Sequence, residues 1–123
     1  MKIKIDKADQ VFSKFIRTRD NWTCNRCHRK HENGSQGMHC SHFFGRAKES
    51  TRFDPENCDA LCFGCHRLWG HGDERDNYKA FKIKQLGQRG FDLLELKSNT
   101  PCKKDREWEL LIATQLLKNL EKK

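Results

Sequence analysis

Two Cys-x-x-Cys pairs, Cys24/Cys27 and Cys62/Cys65, carry the most specific chemistry in the chain. Each pair offers two thiolates from one tight turn, and two such turns complete a tetrahedral zinc site. Four cysteines leave no open coordination position, so this zinc is expected to serve folding and not catalysis. A redox Cys-x-x-Cys is the alternative, but no thioredoxin-like βαβ pattern flanks either pair. Of the other cysteines, Cys40 and Cys58 read as small buried residues on strands, and Cys102 carries no signal.

Between the pairs lies His39-Cys40-Ser41-His42, then Asn57 fifteen residues on, then His66 nine further and directly behind Cys65. A zinc ribbon alone does not require that series. Taken singly, each member has a plainer reading: His42 as a structural histidine, Asn57 as a turn former after Pro55, His66 as an alternative zinc ligand. His39 and His71 are divided between metal ligand and surface residue, and His28 and His31 are expected to face solvent. On an ideal strand His39 and His42 point to opposite faces, and Ser41 shares the face of His39. His71 follows His66 by five residues across Gly70, which leaves its direction open.

These residues need elements to hold them. From about Asp6 to Arg19, Ala8, Val11, Phe12, Phe15 and Ile16 recur at helical spacing, with a basic remainder. Asn33-Gly34 and Gly37 mark a loop. Residues 38–44 read as a strand, 45–55 as a basic loop and 57–61 as a second short strand. A helix is expected from near Asp76 to Gly87, with Tyr78, Phe81 and Leu86 on one side. Residues 91–96 are ambiguous between helix and strand. Thr100-Pro101 suggests the N-cap and first position of a last helix carrying Trp108, Leu111, Ile112, Leu116 and Leu120. That helix is expected to pack on the domain or a partner, and is the candidate homodimer surface. Trp69, beside Leu68, reads as core in preference to a DNA wedge.

The whole chain bounds what these parts can be. At 123 residues, 35% hydrophobic and 34% charged, it is one compact domain with a thin core that needs a staple. Its segments are an N-terminal basic helix (1–21), a zinc-stapled centre (22–75) and a helical extension (76–123). No run approaches the length of a membrane span. With seven cysteines and no apolar leader-like run at the start, a reducing cytoplasm is expected. The net charge is +8, of which +6 falls in residues 1–30, where nine Lys/Arg face three acids. Such an excess favours a polyanion, and nucleic acid is the commonest. Arg46, Lys48 and Arg52 after His42, and Arg67 after His66, are the expected phosphate contacts.

Over residues 22–71 the pattern resembles the HNH (ββα-metal) endonucleases: a cysteine knuckle, a strand ending in histidine, an asparagine, then Cys-x-x-Cys-His opening a helix. The resemblance implies a small α+β fold, a zinc-stapled ββα-metal (His-Me finger) core with flanking N- and C-terminal helices. It implies that His42 is the general base, that Asn57 orients the loop around it, and that His66 binds one catalytic Mg²⁺ or Mn²⁺. The family's second metal ligand falls on Ser41, a poor one, so His39, His71 or Asp73 would have to replace it. Ser41 to Arg46, with Thr51-Arg52-Phe53-Asp54 and Asn57, is also similar to recombination nucleases of lambdoid phages, and the cysteine arrangement to phage junction-resolving endonucleases. Phage or prophage origin and DNA hydrolysis are the implied consequences. A catalytically inactive zinc-dependent DNA-binding module and a protein-interaction zinc domain remain the competing readings.

Overall fold

A computed structural model describes residues 3–122; Met1, Lys2 (one of the basic residues counted above) and Lys123 lie outside it. The first helix, α1 (Lys7–Arg19), begins at a reciprocal capping box. Asp6 accepts from the Asp9 amide and Asp9 accepts from the Asp6 amide, each at 3.0 Å. Its stripe of Ala8, Phe12, Phe15 and Ile16 is buried.

Strands β1 (Met38–His42) and β2 (Cys58–Cys62) form one antiparallel pair, with His42 opposite Cys58 and Cys40 opposite Ala60. Both strands were expected, but β1 stops at His42, and Phe43 and Phe44 begin the loop. That loop is not structureless. It contains a single helical turn, α2 (Glu49–Arg52), and a 3₁₀ turn over Pro55–Asn57.

After β2 comes α3 (Phe63–His66), which continues as a π-helical turn over Arg67–His71. The next stretch, α4 (Arg75–Ser98), is two helices meeting at Gly87, where the first ends as expected. That glycine, at φ 78° and ψ 160°, leaves the helical conformation, and residues 91–96 lie in the second helix beyond it. The last helix, α5 (Arg106–Glu121), does not start at Thr100-Pro101. Asp105 caps it instead, its side chain accepting from the Trp108 amide at 3.0 Å.

Two small cores result. One packs Trp22, Met38, Phe43, Leu61, Trp69, Tyr78 and Phe91 between hairpin, knuckle and α4. Trp69 is therefore core, stacked on Tyr78 with ring centroids 4.9 Å apart. The other packs α1 and Ala113 of α5 around Cys40 and Cys58, which are buried as expected. Under the first core lies a fully buried polar group. Lys82 and Asp59 are paired at 3.2 Å, and the Tyr78 hydroxyl donates to Asp59 at 2.9 Å. Among the described residues no helix is long and apolar enough to cross a membrane.

Candidate functional site

Asp20, at the end of α1, brings the two cysteine pairs together. Its carboxylate accepts from the Ala60 amide and the Asn25 side chain, both at 2.9 Å, and the Asn25 amide donates to the Ala60 carbonyl at 3.0 Å. The first knuckle is thereby hung on β2, whose last residue is Cys62. The four Sγ atoms of Cys24, Cys27, Cys62 and Cys65 lie within 4.8 Å of one another, and those of Cys27 and Cys62 are 3.8 Å apart. Arg26 and Cys27 point their amides at the Cys24 sulfur (3.4 and 3.5 Å). Burial opposes ionisation of that thiol, but the amides outweigh it and hold it down at about 7. Four converging sulfurs with amide donors fit a structural zinc ion. Arg26 ties the knuckle to the start of α4 by a double contact with Glu74 (2.9 and 3.0 Å).

The histidines converge on the other side of α3. His39 and His66 meet Nδ1 to Nδ1 at 3.0 Å, and the rings of His66 and His71 have centroids 5.4 Å apart. The π-turn brings His71 there: hydrogen bonding from i to i+5 places residues five apart above one another, where an α-helix would turn them away. Gly70 makes room, since a Cβ there would lie 2.8 Å from Cδ2 of His66. Burial, then the charges of His39, His71 and Arg46, push His66 down to about 4, so its imidazole is neutral near pH 7.

His42 faces the opposite side of β1 from His39, as strand alternation requires. Its Nε2–H donates to the Arg52 carbonyl at 2.9 Å, and its Nδ1 is buried without a partner. Neither nitrogen is presented to water, which departs from what a general base at this position needs. Burial, then the Arg46 charge, pushes His42 down to about 4 as well. Asn57, fully buried, braces the loop above it: its amide group donates to the Phe44 and Thr51 carbonyls (2.9 and 3.0 Å) and accepts from the Phe44 amide (2.9 Å).

Two adjoining cavities open here. One of ≈ 320 Å³ is lined by residues including Arg17, His39, Arg46 and His66; one of ≈ 240 Å³ by residues including His42, Arg46, His66 and His71. Among the described residues no carboxylate lines either. Asp73 lines a different cavity, with Arg67 and His71. Mg²⁺ and Mn²⁺ favour oxygen ligands, so the imidazoles present do not fit the expected catalytic ion. Ser41 is corrected too: it is wholly buried, with Oγ 3.2 Å from the Tyr78 hydroxyl, and is no ligand.

The basic residues divide. Arg46 is half-buried between the two cavities, and its Nε has no partner. Arg67 and Lys48 are exposed, Lys48 donating to Asn99 at 2.7 Å. Arg52 is not a phosphate contact: it is buried in an ion pair with Asp9 at 2.5 Å. Part of the N-terminal excess is likewise used internally. Arg19 donates to Asp20 and to the Pro55 and Cys58 carbonyls, and Arg26 is held by Glu74. Sequence reasoning missed Arg17 as a lining residue, because only the fold of α1 against β1 brings it to the cavity.

The fold and its cysteine cluster thus define a small α+β protein with a four-cysteine knuckle that could hold a metal ion. The chain belongs to the family described as Bacteriophage Lambda NinG protein, whose model matches residues 2–122. This corrects the reading as an HNH endonuclease, since the match over nearly the whole chain is to NinG; phage origin agrees with it. No curated protein and no solved structure matched the chain.

Proposed function

We propose that the chain is a zinc-stapled DNA-binding protein, and that the cleft around Arg46 is where it holds the phosphate backbone. One observation carries this reading. Arg46 sits between two cavities with a buried, unpartnered Nε, and four imidazoles and no acid line them. A guanidinium so placed lacks a carboxylate and offers a fork of donors to an anion. The +8 net charge and the phage family support the same partner. The knuckle would hold α3 in place, and α3 with β1, α1 and the loop at Arg46 sets the walls of the cleft.

The test is equilibrium binding of the zinc-loaded protein to duplex and branched DNA across a salt series. Affinity that falls steeply with salt supports the reading. Absence of DNA affinity at low salt would leave a protein-interaction zinc domain.

The imidazoles favour a second reading, in which the bound phosphodiester is also hydrolysed. His39, His66 and His71 meet in the same cleft, and His66, neutral near pH 7, is suited to accept a proton from water. His42 would serve only after its ring turns to bring a nitrogen out to the cleft. Cleavage of plasmid DNA with Mg²⁺, Mn²⁺, Co²⁺ or Ni²⁺, comparing wild type with zinc-loaded His66→Ala and His42→Ala, separates the readings. Nicking that His66→Ala abolishes supports hydrolysis; binding without cleavage under any ion leaves the DNA-binding module alone.

A further inference from the structure

Cys40, His42 and Cys58 share one face of the hairpin. His42 is directly opposite Cys58, and Cys40 is its diagonal neighbour. Their two Sγ atoms and one ring nitrogen all lie within 4.8 Å of one another. Cys40 and Cys58 are 5% and 0% exposed, away from the four-cysteine knuckle. The knuckle takes its sulfurs from the turn at residues 24–27, the end of β2 and α3; this group takes its own from the middle of one strand and the start of the other.

We propose that Cys40, Cys58 and His42 form a second site for a thiophilic divalent cation of the zinc class. The His42 ring is set as a metal-bound imidazole commonly is. Its Nε2–H is donated to a backbone carbonyl, which leaves Nδ1 unprotonated, and that Nδ1 is buried with no hydrogen-bond partner. An unpaired buried acceptor is costly, and an ion between the sulfurs and the ring would satisfy it. Two thiolates and one divalent cation carry no net charge, so burial is compatible with the loaded site. Loading releases two protons, one from each thiol. Around a tetrahedral zinc, sulfurs stand on the order of 3.8 Å apart, within reach of small rotamer changes here. Cys40 and His42 also line the ≈ 240 Å³ cavity, which gives an ion its entry and leaves a fourth position for water. The donor set selects against Mg²⁺ and Ca²⁺, which prefer oxygen. The ion would join the two strands beneath α1.

Cobalt titration of metal-free, fully reduced protein tests this, in a Cys102→Ser background that removes the exposed thiol outside the knuckle. The expected result is two equivalents bound. The second raises the sulfur-to-cobalt charge-transfer absorption by about half, because two thiolates join four. In Cys40→Ala/Cys58→Ala that increment disappears while the first equivalent, at the knuckle, remains and reports that the variant is folded. Charge-transfer absorption that saturates at one equivalent in the wild type overturns the proposal. So does a second equivalent that adds no charge-transfer absorption, which would place that ion among His39, His66 and His71. His42→Ala is expected to weaken the second equivalent about tenfold or more and leave the first unchanged.

Discussion

Arg52 holds His42 by its backbone carbonyl, which accepts from Nε2 at 2.9 Å, while its own guanidinium is buried against Asp9 at 2.5 Å. The imidazole at the end of β1 is therefore oriented by an ion pair reaching back to the first turn of α1. Both side chains are nearly inaccessible, at 5% and 3% exposed. Asp9→Ala would leave a buried arginine unpaired and is expected to cost about 3–5 kcal/mol, read by chemical denaturation of the zinc-loaded protein. A loss below about 1 kcal/mol would show that the pair does not brace α1 against the loop.

Acid should act on this brace. Burial raises the Asp9 carboxyl, but hydrogen bonds and charge from Arg52 outweigh it, so its folded-state pKa is lowered. Its contribution is present above the unfolded-state pKa of about 4 and is lost as pH falls through the lower folded-state value. In Asp9→Asn that acid-dependent part of the stability curve should be absent, while the loss at higher pH from other groups remains.

The two depressed imidazoles titrate in a different window. His42 and His66 both sit at about 4 when folded, against about 6.5 in the unfolded chain. As pH falls below about 6.5 the unfolded chain takes up protons that the folded one refuses, so stability decreases between about 6.5 and 4. Imidazole NMR shifts should show His42 as the neutral Nε2–H tautomer at pH 5. A cationic His42 at that pH would contradict the burial described.

Gly70 is expected to resist substitution. A Cβ would meet the His66 ring at 2.8 Å, and turning that ring breaks its contact with His39. Gly70→Ala should retain zinc and the four-cysteine knuckle but lose the His39–His66 contact, visible as altered imidazole shifts. Unchanged shifts would mean the π-turn has slack.

Zinc removal should unfold the central segment first. Cys62→Ser takes one of four sulfurs that close the loop from Cys24 to Cys65, and the core beneath is small. Hydrogen exchange across residues 22–66 should rise sharply in the variant, and α1 should follow because Arg19 and Asp20 are anchored on residues 55–60. Retained protection without metal would show that packing alone holds the knuckle.

Local signals with one physical meaning were readable directly. Paired cysteines, the apolar stripe of α1 and the alternation of His39 and His42 need no partner to be interpreted. The positions of His71 and Arg52 were not. A π-turn does not follow from the spacing of His66 and His71, and only the return of the chain onto α1 turns Arg52 from a loop cation into a buried partner of Asp9. Thr100-Pro101 misled because its pattern suits a helix start, while Asp105 five residues later makes the capping contact. The HNH likeness rested on a short run of residues; the family match spans residues 2–122.

DNA phosphate is proposed to sit beside Arg46. Binding of zinc-loaded wild type and Arg46→Ala to the same duplex, measured over a salt series, tests it most directly, with Arg67→Ala and Arg52→Lys as comparisons. Arg46→Ala should weaken binding about tenfold and reduce the slope of log affinity against log salt by about one. Arg52→Lys should leave the slope unchanged, since that side chain is buried. Wild-type affinity and slope in Arg46→Ala, with the loss falling on Arg67→Ala instead, would contradict it and move the bound backbone away from the histidine cleft.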